Sequence, residues 1–301
     1  MSNRRGEGPV LIDPTLDRRL DRDGFVKVRV ISEDAAADLR SRYGQVHGWS
    51  GDGFEVDFWQ SEPGYRHRAS AVIAEVLDEP LRALFAGYEP FLRNFLVKWP
   101  GLRDPDGFPE GAHRDWMYTD ERAGTRSYVA WVALEDIDGH NGQLKVARAS
   151  HRIDDRLRGT NIDTPWLGDS DFWAHRLQAV PVKAGEAVIT NAATVHGSHF
   201  NLTDGPRVAV AVAMAPAGAQ LMHYWGASET EAKSFAVDPS WFLDQPAPQL
   251  LETPPDLPMA GVVPIGGSSR SRRSLAWSLD RHPVAFFEQL NRRWRRLRHA
   301  S

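Results

Sequence analysis

Residues 190–213 read TNAATVHGSHFNLTDGPRVAVAVA. A β-type run, ATVHGSH, enters the turn-forming NLTDGP and leaves it as alternating valine and alanine, so two strands meet around a polar loop. The same texture extends outward over most of residues 94–218. Strands are expected around His113 to Thr119, in RSYVAWVALEDI (126–137), GQLKVARAS (142–150), LQAVPVKAGEAVITN (177–191), ATVHGSH (193–199) and RVAVAVAMAP (207–216). Gly, Pro, Asn and Asp divide them at a spacing typical of sandwiches and barrels. The core is therefore mostly β, with helices ahead of it.

Upstream, Phe25 to Val30 reads as a strand, followed by a helix with Ser32 as N-cap and Glu33 and Asp34 in its first turn. Residues 68–93 have helical periodicity interrupted by Pro80, and NFLVKWP (94–100) then turns strand-like. Residues 1–18 read as a flexible tail, 19–225 as the β domain with its N-terminal helices, and 226–301 as a Pro-rich segment ending in a basic helix. That helix places Phe287, Leu290, Trp294 and Leu297 on one face and packs on or near the core.

Composition removes several classes of function. The chain has 301 residues, no cysteine and a formal net charge of -4. Disulfides, thiolate metal sites and cysteine nucleophiles are excluded, and any metal must be held by histidine and carboxylate. A nucleic-acid partner is not expected without a basic excess. No run of about 18 apolar residues is present and the N-terminus is polar, so a cytoplasmic chain acting on a small molecule is expected.

The chemistry is concentrated at GAHRDWMYTDE (111–121) and at the opening stretch. His113-Arg114-Asp115 has the letters of a kinase catalytic loop, but Asp120 stands where that loop needs asparagine, and the Gly-rich loop and Asp-Phe-Gly are missing. On an extended chain, by contrast, His113 and Asp115 project from one face and converge. His196 is the best third ligand, with His199 as competitor. Two imidazoles and one carboxylate leave coordination positions open, as catalysis requires. A keto-acid co-substrate chelating the metal would carry a second carboxylate, and Arg207, 11 residues past His196, offers a bidentate guanidinium for it.

Over roughly residues 20–218 the sequence resembles the phytanoyl-CoA dioxygenase family of iron(II)/2-oxoglutarate oxygenases. The resemblance is carried by His113-x-Asp115, by Trp131 in YVAWVALEDIDGHNGQLKVARASHR and by HGSHFNLTDGPR with its His, Ser, Asn and Arg in family order. It implies a double-stranded β-helix of the jelly-roll, cupin-like type, with Fe(II) on His113, Asp115 and His196. It also implies that Arg207 and Ser198 hold the 5-carboxylate of 2-oxoglutarate near Trp131, with Asn94 and Lys98 as further cosubstrate contacts. The implied reaction consumes O2, converts 2-oxoglutarate to succinate and hydroxylates a C–H bond. Alternatives are the same iron chemistry ending in epimerisation, desaturation or cyclisation, or a non-catalytic metal-binding β-barrel. Because Asp115 is retained, the halogenating variant of this chemistry is disfavoured. Trp116, Tyr118, Arg126 and Trp225 are candidate substrate contacts, and a bacterial natural product is the expected substrate class. His151 and His140 read as loop residues.

Overall fold

The computed structural model describes residues 8–59, 62–101, 110–153, 155–162, 172–173, 175–245 and 247–266. The basic C-terminal helix expected from the sequence lies outside them. Helix α1 (Pro14–Asp23) begins at the N-cap Asp13, whose carboxylate accepts from the backbone of Thr15 and Leu16, and ends at Gly24 in the left-handed region. The flexible tail expected over residues 1–18 is therefore corrected for its described part. Val10 and Leu11 are fully buried, and the Asp17 carboxylate accepts from both of their backbone amides. Helix α2 (Glu33–His47) starts as expected, with the Ser32 hydroxyl accepting from Ala35.

Helix α3 (Pro63–Leu84) runs through Pro80 instead of being interrupted by it. It also stops well short of residue 93. Gly87, at φ +76°, turns the chain into the following strand, and residues 88–92 are claimed by antiparallel pairing with residues 213–216. Ladder bonds outweigh helical periodicity there, because buried backbone groups must be paired.

Thirteen strands are described: β1 (Phe25–Arg29), β2 (Phe54–Val56), β3 (Tyr88–Lys98), β4 (Glu110–His113), β5 (Tyr128–Ala133), β6 (Leu144–Ala147), β7 (Leu177–Val180), β8 (Glu186–Asn191), β9 (His196–Ser198), β10 (Arg207–Pro216), β11 (Leu221–Gly226), β12 (Glu231–Val237) and β13 (Gly261–Pro264). They form a six-stranded sheet in the order β1-β8-β5-β10-β3-β2, a four-stranded sheet β4-β9-β6-β7 and a three-stranded sheet β11-β12-β13. All strand pairs named within them are antiparallel. The first two sheets make the double-stranded β-helix. The strand expected over His113 to Thr119 is shorter than foreseen, ending at His113.

The alternation in RVAVAVAMAP explains the layering. Val208, Val210, Val212 and Met214 face α2 and α3 in one core cluster with Leu39, Ile73, Leu77, Phe95 and Val132. The opposite side of the same strand is Arg207, Ala209, Ala211 and Ala213, and Ala209 joins Trp131, Val146 and Val188 between the two sheets. Bulky residues fill the helix-facing layer, while alanines leave room inside the roll.

The boundary expected between residues 225 and 226 falls inside a hairpin, since β11 pairs with β12 from Leu221↔Val237 to Gly226↔Ala232. The Pro-rich segment also contains two short helices, α4 (Trp241–Asp244) and α5 (Ala247–Glu252). Phe235, Val237, Trp241 and Phe242 pack with Phe91 and Leu92 of β3, which ties this segment to the roll.

Candidate metal centre

β4 and β9 pair so that His113 and His196 are direct cross-strand partners, with ring centroids 4.3 Å apart. Asp115 lies two residues beyond the end of β4. Its Oδ1 is 4.0 Å from His113 Nε2 and 3.9 Å from His196 Nε2. One ligand atom from each residue falls within 4.8 Å of the other two. His196 Nδ1 sits 3.0 Å from the Thr194 carbonyl oxygen. That contact makes Nδ1 the protonated nitrogen and leaves the Nε2 lone pair facing inward.

The carboxylate Oδ2 of Asp115 is buried and has no hydrogen-bond partner among the described residues. A buried carboxylate oxygen without a partner is costly, and beside two inward imidazoles a cation is the natural complement. The donor set of two nitrogens and one carboxylate suits divalent iron. His199 stands outside this group, and its backbone amide donates to Gln143. Burial and the nearby Lys145 and Lys98 hold its pKa below the usual histidine value.

The residues expected to hold the cosubstrate, apart from Ser198 on β9, lie on the inner face of the large sheet. Arg207 pairs with Lys98 and Ala211 with Asn94 across β10 and β3, while Ala211 also pairs with Trp131 across β5. Partners in antiparallel register share a face, so these five side chains line one wall. The Arg207 guanidinium is buried, 5.5 Å from the Trp131 ring centroid, with long contacts of 3.3 and 3.4 Å to the Leu96 and Gly142 carbonyls. Lys98 Nζ donates to the His199 carbonyl at 2.7 Å and lies 3.4 Å from that of Ser198, fixing the exit of β9. Gly142 keeps this basic corner open. At φ +84°, a Cβ there would sit 2.9 Å from the His199 carbonyl oxygen and 3.1 Å from Lys98 Cδ.

From the triad a cavity of about 210 Å³ opens outward, lined by Asn94, Leu96, Ala211, Ala213, Trp116 and Tyr118 among others. Phe58 and Trp59 close its far side, with the Trp116 ring edge-on to both at 5.3 and 6.4 Å. Burial and the Asp115 carboxylate push the Tyr118 phenol upward, so it stays a protonated donor. The described lining includes neither Arg126 nor Trp225. The Trp225 indole N–H instead donates to the Leu250 carbonyl, fastening α5. Phe58 and Trp59 escaped sequence reasoning because they stand 54 residues or more before the His113 ligand pair, with no motif of their own. The alanines of β10 carried a readable signal: small residues at alternate positions mark a strand with space on one face.

A jelly roll carrying an open two-histidine, one-carboxylate site at one end, with a buried arginine across the barrel from it, defines the class of non-haem iron oxygenases. The family model described as "Phytanoyl-CoA dioxygenase (PhyH)" matches residues 20–209. The chain belongs to that family of iron(II)/2-oxoglutarate-dependent oxygenases. It is 29% identical over 133 residues to the peroxisomal phytanoyl-CoA dioxygenase of Bos taurus, a match covering 42% of this chain and 39% of that protein. The alignment thus spans well under half of the curated relative.

Three solved structures are also similar. The epimerase SnoN, in complex with Fe3+, alpha ketoglutarate and nogalamycin RO, is 25% identical, covering 69% of this chain and 87% of its own at a TM-score of 0.48. The carbocyclase SnoK from nogalamycin biosynthesis is 24% identical, covering 71% and 89% at 0.49. HygX from Streptomyces hygroscopicus, with nickel and 2-oxoglutarate bound, is 18% identical, covering 71% and 90% at 0.48.

Proposed function

We propose that the protein is an iron(II)/2-oxoglutarate-dependent dioxygenase that hydroxylates an unactivated C–H bond of a small, largely apolar, ring-bearing molecule. The observation that carries this reading is the convergence of His113, Asp115 and His196 on one point, with Asp115 Oδ2 buried and unpaired. Iron(II) held there would activate O2, which is the oxidant, and the overall stoichiometry consumes substrate, O2 and 2-oxoglutarate and yields alcohol, succinate and CO2.

The chain's own part is binding and orientation. Arg207 presents a buried, permanently charged fork to the distal carboxylate of 2-oxoglutarate. Ser198 and Lys98 stand at the same corner, and Asn94 and Trp131 line the wall between it and the triad. The substrate class follows from the rest of the cavity lining, where Phe58, Trp59 and Trp116, together with Leu92 and Val129 of the same large sheet, offer ring faces and methyl groups. Such a surface recognises shape and apolar area, while Tyr118 provides a hydroxyl donor. Membership in bacterial natural-product metabolism is part of the proposal.

Incubation with Fe(II), 2-oxoglutarate and O2, with succinate measured in the absence of any prime substrate, tests the reading. Slow succinate formation that stops in His113→Ala is the expected result. Arg207→Ala should retain metal binding and weaken 2-oxoglutarate by roughly 10- to 100-fold, as loss of a charge-assisted bidentate pair does. Equal 2-oxoglutarate affinity in wild type and Arg207→Ala would remove that residue's role. A protein that binds metal but forms no succinate, with or without a panel of ring-bearing substrates, is a binding module instead.

A further inference from the structure

Asp115 is the one triad member not carried by a strand, and residues 114–118 have no ladder partner to fix their course. Something else must hold them, because a ligand carboxylate free to wander loses affinity for its ion. The segment 155–162 runs alongside and performs this task. Arg158 Nε donates to the Asp115 backbone carbonyl at 2.9 Å, and the Arg158 carbonyl accepts from the Met117 amide at 3.1 Å. The same guanidinium donates through its NH2 nitrogen to Glu121 Oε1 at 2.6 Å. The two side chains are only 5% and 9% exposed, so the pair is shielded from water.

Each end of this clamp is itself fixed. Glu121 opens a single 3-10 turn whose N-cap, the Asp120 carboxylate, accepts from Arg122 and Ala123. On the other side, Thr160 donates its amide to the Tyr224 carbonyl and accepts from the Gly226 amide, which docks the segment on β11. Gly159 permits that approach, since a Cβ there would lie 2.2 Å from the Tyr224 carbonyl oxygen.

We infer that Arg158, aimed by Glu121, is a positioning residue that sets the direction of the Asp115 carboxylate and so the metal affinity of the centre. The inference rests on the metal reading given above. It adds two residues that touch neither metal nor substrate. Lysine is no substitute for Arg158, because one ammonium on a flexible stem cannot present a fixed fork to a carbonyl and a carboxylate at once. Glutamine at position 121 keeps the shape but removes the charge that orients the fork.

The test is Co(II) binding to the full chain, followed by titration and by the visible ligand-field spectrum of the bound ion, beside thermal unfolding of the metal-free protein. Arg158→Lys and Glu121→Gln are expected to unfold as cooperatively as wild type. They should bind Co(II) roughly 10- to 100-fold more weakly, the usual effect of losing an outer contact to a metal site. The spectrum should also change as the carboxylate shifts. In Arg158→Ala, added methylguanidinium should restore part of the affinity, which a merely structural role for the side chain would not produce. Affinity and spectrum equal to wild type in folded Arg158→Lys and Glu121→Gln overturn the inference. A wild-type chain that takes up no Co(II) overturns the metal reading itself, and the inference with it.

Discussion

Two buried titratable residues flank the substrate wall and pull stability in opposite directions with pH. The Asp57 carboxyl accepts from the Phe95 amide at 2.7 Å and the Tyr65 hydroxyl at 2.8 Å, and its burial pushes its pKa up to about 7 from 3.8. A folded pKa above the unfolded value means the native state holds the proton more tightly. This contribution is therefore present at low pH and lost as pH rises toward 7. His223 lies edge-on to Trp116, 2.9 Å from the Thr160 hydroxyl, and burial pushes it down to about 4 from 6.5. Its contribution is complete above pH 6.5 and is lost as the pH falls toward 4. Denaturant unfolding measured across pH 4.5–6.5 should then separate them, with slopes changed by up to ~1.4 kcal/mol per pH unit relative to wild type. Asp57→Asn is expected to make the slope more positive and His223→Gln more negative. Shifts of the same sign in both variants would contradict the assignment.

At the scale of the element, β10 is a strand with two jobs on two faces. Val210→Ala removes methyl groups from the fully buried, helix-facing layer and should cost about 2 kcal/mol while leaving 2-oxoglutarate affinity intact. Ala211→Val on the other face puts methyls between Asn94 and Trp131, where the cavity lies. Its expected signature is at least a tenfold loss of 2-oxoglutarate or substrate affinity, read by titration, with a smaller change in melting temperature. Reversal of these two patterns would mean the faces are misassigned. This strand also shows how far a sequence can be read. Its alternation, its starting Arg207 and its antecedent turn all declare local rules. So does the N-cap Ser32, and so do the three candidate metal ligands, which sit in dense local motifs. The pairing of residues 88–92 with β10 was hidden, because a non-local ladder overrode a helical pattern. Phe58, Trp59, Arg158 and Glu121 were equally hidden, since each acts through neighbours far away in the chain.

At the scale of the whole molecule, the sheet β11-β12-β13 lies entirely beyond residue 209, where the family match ends, yet it braces the candidate metal centre. The Met222 amide donates to the Tyr118 carbonyl at 2.8 Å, and β11 also carries the segment that presents Arg158. Jelly roll and third sheet should therefore unfold together. Phe235→Ala, which empties a fully packed position against Phe91 and Phe242, is expected to lower stability by about 3–5 kcal/mol in one cooperative transition. Two separable transitions would show that the third sheet is an independent appendage. The central claim is that His113, Asp115 and His196 hold iron(II) so that 2-oxoglutarate chelates it with its far end on Arg207. Anaerobic addition of Fe(II) and 2-oxoglutarate, followed by visible absorption, measures this directly. A charge-transfer band that saturates at one iron per chain, is absent in His113→Ala and needs more 2-oxoglutarate in Arg207→Ala is the predicted result. The same band in His113→Ala as in wild type, or no band in the wild-type protein, would contradict it.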